Sequence, residues 1–259
     1  MVYTEGPRSI SFSGSGFLAT YQLGVAECFR HYAPWILHSA PCVLGSSAGS
    51  LVAAAVVFTI RDEMINFAKQ VKAFTLGPFN PSINVFHWLE FILRKYLPSN
   101  AHQLASGRLA VTVTRLIDSE QVVMSEFESK EDVALLCSCF VPGYCGFVPP
   151  SFKGIYLDGG LSNMQPIAPG PSSLTLTVCP FSGESDICPA DRPCTLDMVV
   201  SGAILKVKFM LFFSFQTLEQ AFHSGYKDAV RFLVSSGESV AELKNKQKNP
   251  TTLFLLWVD

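Results

Sequence analysis

Charge is what this sequence has least of. Charged residues fill 15% of the 259 positions while hydrophobic ones fill 49%, against the roughly 25% charged content of ordinary soluble domains. The 19 Lys and Arg nearly balance 21 Asp and Glu, leaving a formal net charge of -2. That balance offers no basic footprint for a phosphate backbone and argues against a nucleic-acid partner. No leader is expected either: Met1 to Arg8 shows neither an apolar run nor a small-residue cleavage site, so the expectation is a cytoplasmic chain with reduced thiols. None of the eight cysteines forms a C-x-x-C pair, which speaks against a zinc site or a disulfide scaffold. Cys137, Cys139 and Cys145 cluster without a nearby histidine and read as small apolar side chains rather than ligands. No internal repeat is present, and no metal or cofactor is called for.

What the sequence has is apolar surface and short β–α alternation. A mean hydropathy of +0.31 implies exposed apolar area suited to a lipid or membrane partner. Ser9 to Ser13 reads as a strand broken by Gly14-Ser15-Gly16, after which Phe17, Tyr21, Val25, Cys28 and Tyr32 recur at helical spacing. Cys42 to Leu44 is a second strand, Gly45 to Gly49 a tight turn, and Leu51 to Thr59 a helix apolar all round. Further helices are expected from Asp62, over Phe86 to Tyr96, and from Ser129 to Ser138. Strands are expected over Leu109 to Arg115, Val122 to Phe127, Ile155 to Leu157 and Leu174 to Val178. This alternation argues for an α/β fold with a mainly parallel sheet covered on both faces. From Val199 to Phe215 the pattern has period two and contains two lysines, favouring a strand over a membrane-spanning helix, with a lipid-facing segment as the alternative. Lys244 to Lys248 reads as a solvated tail.

Three glycine-containing turns carry the chemistry. Gly45-x-Ser47-x-Gly49 places a serine at a strand-to-helix corner, where its Oγ stands exposed and the N–H of Ala48 points toward a developing oxyanion. Gly14-Ser15-Gly16, at the end of the neighbouring strand, offers a second set of backbone donors. The same turn, as Gly14-x-Gly16-x-x-Ala19, also matches a dinucleotide fingerprint, but no acidic residue ends the second strand to hold a ribose. A base for Ser47 is found either in Asp158, which precedes Gly159 and Gly160, or in His223 as the last member of a Ser–Asp–His order. Against the histidine, the serine elbow follows only one strand.

Ser13-Gly14-Ser15-Gly16-Phe17-Leu18, Gly45-Ser46-Ser47-Ala48-Gly49, Ser138-Cys139-Phe140-Val141-Pro142 and Asp158-Gly159-Gly160 occur in that order. Together they resemble the patatin-like phospholipase domain of the group containing adipose triglyceride lipase and adiponutrin. The resemblance implies an α/β/α sandwich and acyl chemistry on lipid esters. It further implies a Ser47–Asp158 dyad without catalytic histidine, an oxyanion site built from Gly14, Ser15, Gly16 and Ala48, and no cofactor or metal. An acyl lipid substrate, a lipid-droplet or membrane surface and a protein coactivator are the implied partners. A lipid-surface binding protein with weak turnover is the alternative. Residues 1–235 are expected to form the domain and 236–259 a tail. Three features depart from the group: Ala19 in place of a third glycine, Ser119 after Asp118 in a hairpin turn, and an atypical stretch from Arg192 to His223.

Overall fold

The computed structural model describes residues 8–58, 85–130, 134–151, 154–168, 175–190, 196–200, 203–207 and 215–237. The expected helix from Asp62, most of the tail and part of the atypical stretch lie outside them.

Strand β1 (Ser9–Phe12) leads through a 3-10 turn at Gly16–Leu18 into α1 (Ala19–Tyr32), and α2 (Pro34–Ser39) returns the chain to β2 (Val43–Ser46). Helix α3 (Ala48–Phe58) starts two residues later. After α4 (Val85–Tyr96) and α5 (Ala101–Ala105) come β3 (Leu109–Arg115) and β4 (Gln121–Met124). Then follow α6 (Leu135–Ser138), β5 (Tyr156–Asp158), β6 (Thr175–Val178), the pair β7 (Leu196–Val200) and β8 (Ala203–Val207), and the long α7 (Phe215–Ser235). The proline at the start of α2 is suited to a first helical turn, where its missing N–H has no partner to lose. The fourth expected strand stops at Met124 rather than Phe127. Of the helix expected from Ser129, only its last turn, α6, is described as α-helix.

One six-stranded sheet runs in the order β4-β3-β2-β1-β6, with β5 also pairing β3. β1, β2, β3 and β6 are mutually parallel, whereas β4 and β5 run antiparallel to β3. Every residue of β1 and β2, and all of β3 except Arg115, is buried, as strands covered on both faces must be. Ile10, Phe12, Val43, Leu109, Val111 and Val113 join Tyr21, Val25, Cys28 and Phe29 of α1 and Val52 and Ala53 of α3 in one core. Burying each large side chain there contributes roughly 1.5–3 kcal/mol.

Helices α1 and α7 pack most extensively of all helix pairs among the described residues. Two glycines permit it: a Cβ on Gly24 would sit 2.0 Å from the Phe222 carbonyl oxygen, and one on Gly225 would sit 2.0 Å from that of Tyr21. Tyr21 Oη donates to Asp228 across the same interface at 2.8 Å. The period-two stretch is strand at Val199 to Val200 and Ala203 to Val207, in an antiparallel hairpin. Residues 208–214 are outside the described set.

The pairing of β3 positions the site. Along one edge of β3, β2 runs parallel up to Ser46 opposite Thr112, and β5 runs the other way down to Asp158 opposite Val113. β4 occupies the other edge. The C-terminal ends of β2 and β5 therefore meet head to head at neighbouring positions of β3.

Candidate active site

Ser47 follows β2 directly and takes φ +53°, a left-handed conformation that costs a non-glycine residue about 1–2 kcal/mol. The surrounding backbone enforces it. A Cβ on Gly45 would lie 2.3 Å from the Gly49 carbonyl oxygen, and one on Gly49 2.4 Å from those of Phe12 and Ser13. Only glycines allow strand, turn and helix α3 to close this tightly. The Ser47 carbonyl is held by Ser50, whose N–H and Oγ donate to it at 2.9 and 2.6 Å. The Ser47 N–H donates to Ser138 Oγ at 2.8 Å.

Ser47 Oγ donates to Asp158 Oδ2 at 2.6 Å. Asp158 is 5% exposed, and burial pushes its carboxyl up to about 6, opposed by the hydrogen bonds from Ser47 and the Gly160 N–H. Desolvation disfavours the carboxylate; the two donors favour it, and here burial wins. Gly160 N–H reaches Asp158 Oδ1 at 2.7 Å, leaving Oδ2 for the serine. The aspartate backbone is fixed as well: its N–H donates to the Phe140 carbonyl at 2.9 Å, and its carbonyl accepts from Thr114 Oγ1 at 2.7 Å. A Cβ on Gly159 would meet the Thr112 carbonyl oxygen at 2.1 Å, so this turn too is closed against β3.

The Gly14–Gly16 loop abuts the serine. A Cβ on Gly14 would stand 3.5 Å from Ser47 Cβ and 3.2 Å from Met164 Sδ. Gln22, wholly buried on α1, anchors the loop entrance by donating to the Ser13 carbonyl and Oγ at 2.9 and 3.0 Å. Gly16 takes φ +52°, which glycine adopts without a Cβ penalty. The Gly14 N–H, expected among the oxyanion donors, instead donates to the Met164 carbonyl at 2.7 Å. No turn or loop carbonyl among the described residues accepts from the N–H of Ser15, Gly16 or Ala48. Ala48 opens α3, so its N–H lies at the positive end of a helix dipole.

His223 is exposed on α7, and the hydrogen-bond partner of Ser47 Oγ is Asp158 itself. Cys137 and Cys145 are buried, Cys139 partly so, and all three are free thiols; burial pushes Cys137 up to about 11. No group of three or more His, Cys, Asp or Glu among the described residues is placed to hold a metal ion. Sequence reasoning assigned no role to Thr114, Gln22, Met164 or the Ser138 hydroxyl. Only Ser138 carried a signal, as the first residue of the S-C-F-V-P run.

A sequence profile described as patatin-like phospholipase matches residues 10–170. Patatin-like phospholipase domain-containing protein 2 of Homo sapiens is 37% identical over 251 residues, covering 90% of this chain and 49% of that protein. Omega-hydroxyceramide transacylase of Mus musculus is 40% identical, over 88% of this chain and 41% of that protein. The human 1-acylglycerol-3-phosphate O-acyltransferase PNPLA3 is 36% identical, over 92% and 53%. This chain thus spans about half the length of the curated relatives it matches. Among solved structures, VipD from Legionella pneumophila shares the fold, with a TM-score of 0.50 and 13% identity over 90% of this chain and 67% of that one. Motif order, sheet and sequence similarity agree: the chain belongs to the patatin-like phospholipase family.

Proposed function

We propose that this chain is a lipid acyl hydrolase or transacylase that works through a Ser47–Asp158 dyad. The observation that carries the reading is the 2.6 Å hydrogen bond from Ser47 Oγ to a buried carboxylate. Asp158 takes the hydroxyl proton as Oγ attacks an acyl ester carbonyl, and the N–H groups of Ser15, Gly16 and Ala48 hold the oxyanion. Collapse of the tetrahedral intermediate breaks the ester C–O bond, and Asp158 returns the proton to the departing alcohol. Water or a second alcohol then gives its proton to Asp158 as its oxygen attacks the acyl carbon, and Asp158 returns that proton to Ser47 Oγ as the acyl-enzyme C–O bond breaks. Asp158 is well matched to this cycle, because a base near 6 is ionised at neutral pH yet can hold a proton transiently. Gly14 acts sterically, by letting Met164 and Ser47 approach.

The relatives named for a phospholipase domain, a ceramide transacylase and an acylglycerol-phosphate acyltransferase support a lipid ester as substrate. So does the surface. Ile117, Phe147 and Val148 are 89%, 90% and 85% exposed. They lie in the loops that follow β3 and precede β5, at the end of the sheet where β2 terminates. Apolar side chains at that end suit a protein that takes its substrate from a lipid surface, which we infer to be a membrane or droplet met peripherally. No helix among the described residues is long and apolar enough to cross a membrane.

Fluorophosphonate labelling read by intact mass, beside acyl-ester release, tests the proposal. Adduct and release that both vanish in Ser47→Ala support it. A folded wild-type chain that neither labels nor turns over transfers the reading to a lipid-surface binding protein.

A further inference from the structure

We propose that Ser138-Cys139-Phe140 is a strap that sets the spacing of Ser47 and Asp158, with the Ser138 hydroxyl as its positioning group. The inference rests on Ser47 being the nucleophile.

Ser47 precedes the first turn of α3, so its N–H has no partner inside that helix and must find one elsewhere. Ser138 Oγ accepts it at 2.8 Å and donates its own O–H to the Thr112 carbonyl at 2.7 Å. The second bond fixes the hydroxyl rotor, leaving its lone pairs for Ser47. Two residues later the Phe140 carbonyl accepts the Asp158 N–H at 2.9 Å. One short segment thus grips the backbone of both dyad members, on opposite sides of the gap that the catalytic proton crosses. Strand β3 holds the same region within the sheet, since Thr112 pairs with Ser46, the residue before Ser47, and Val113 pairs with Asp158.

The strap is itself held. Ser138 N–H donates to the Ala134 carbonyl and Phe140 N–H to that of Cys137, at 3.0 and 3.2 Å. The Cys139 carbonyl accepts from Cys145 Sγ at 3.3 Å. The Phe140 ring, 1% exposed, packs edge-on against Phe86 of α4 with centroids 5.2 Å apart. Ser138 has no exposed surface, so it meets neither solvent nor substrate, and its hydroxyl acts only through the bonds it makes.

Loss of that hydroxyl orphans the Ser47 N–H and frees the elbow to drift, and misplacement by about 1 Å can cost on the order of 100-fold in rate. The test compares wild type, Ser138→Ala, Ser138→Thr and Ser138→Cys in acyl-ester turnover and fluorophosphonate labelling, well below each variant's unfolding temperature. The expected result is a fall of about 10–100-fold in kcat and labelling rate for Ser138→Ala with KM changed less than about twofold. Ser138→Thr should recover most of the loss. Ser138→Cys, close in shape but a weaker acceptor, should fall between if the added methyl prevents the threonine variant from folding. Amide exchange at Ser47 should quicken in Ser138→Ala. A Ser138→Ala chain that loses thermal stability but keeps wild-type kcat and labelling rate would overturn the strap while leaving Ser47 as nucleophile. A wild-type chain that does not label overturns both.

Discussion

Asp158, the proposed base, sets the pH dependence expected of turnover. Its carboxyl is raised from 3.8 to about 6 by burial, so the base is lost as pH falls through that value. Turnover should therefore decline about tenfold per pH unit below 6, measured as kcat against pH on a substrate that does not itself titrate. The same shift affects stability with a definite sign. A folded-state value above the unfolded one means that the folded chain binds the proton more tightly. The favourable contribution is whole below about 4 and is lost as pH rises through about 6. Asp158→Asn removes the buried charge, so its thermal midpoint relative to wild type should climb between pH 4 and pH 7. The upper limit is on the order of 3 kcal/mol, less whatever the amide loses in its bonds to Ser47 and Gly160. A midpoint difference independent of pH would contradict the burial argument. His223→Ala should leave kcat unchanged, because that side chain is exposed on α7; loss of activity with an intact circular dichroism spectrum would restore the triad.

At the scale of elements, the glycine contacts decide what can pack. Gly225→Val would put side-chain atoms into the Tyr21 backbone, where a Cβ alone already comes within 2.0 Å of its carbonyl oxygen. Prising α7 from α1 should cost at least about 2 kcal/mol, seen as a lowered midpoint in chemical denaturation. These glycines also mark what could be read from sequence. Ser47 between Gly45 and Gly49, and Asp158 before Gly159, were legible because each turn needs residues without a Cβ. The meeting of the two turns was implied by the family resemblance alone and not by the turns themselves, since it depends on β5 running antiparallel along the edge of β3 that β2 occupies. A three-residue strand carries no mark of its direction. Nor did the Gly14 turn announce that its first N–H would be taken by Met164, a partner 150 positions away. Helices α2 and α5 escaped notice because six and five residues are too few for a 3.6-residue period to show.

For the whole molecule, the low charge content has a structural counterpart in Ile117, Phe147 and Val148. If these side chains meet a lipid surface, replacing all three by serine should reduce activity on emulsified lipid several-fold. Hydrolysis of a water-soluble short-chain ester should be unaffected. Parallel losses on both substrates would place the three residues in folding or in the site rather than at the lipid surface. The sheet, the head-to-head meeting of β2 and β5, and the buried carboxylate all converge on one claim, that Asp158 activates Ser47. The most direct measurement is the fluorophosphonate labelling rate as a function of pH, in wild type and Asp158→Asn. The expected result is a wild-type rate that rises through an apparent pKa near 6 and at least about a 100-fold loss in Asp158→Asn at pH 7. Labelling that persists at the wild-type rate in Asp158→Asn would contradict it.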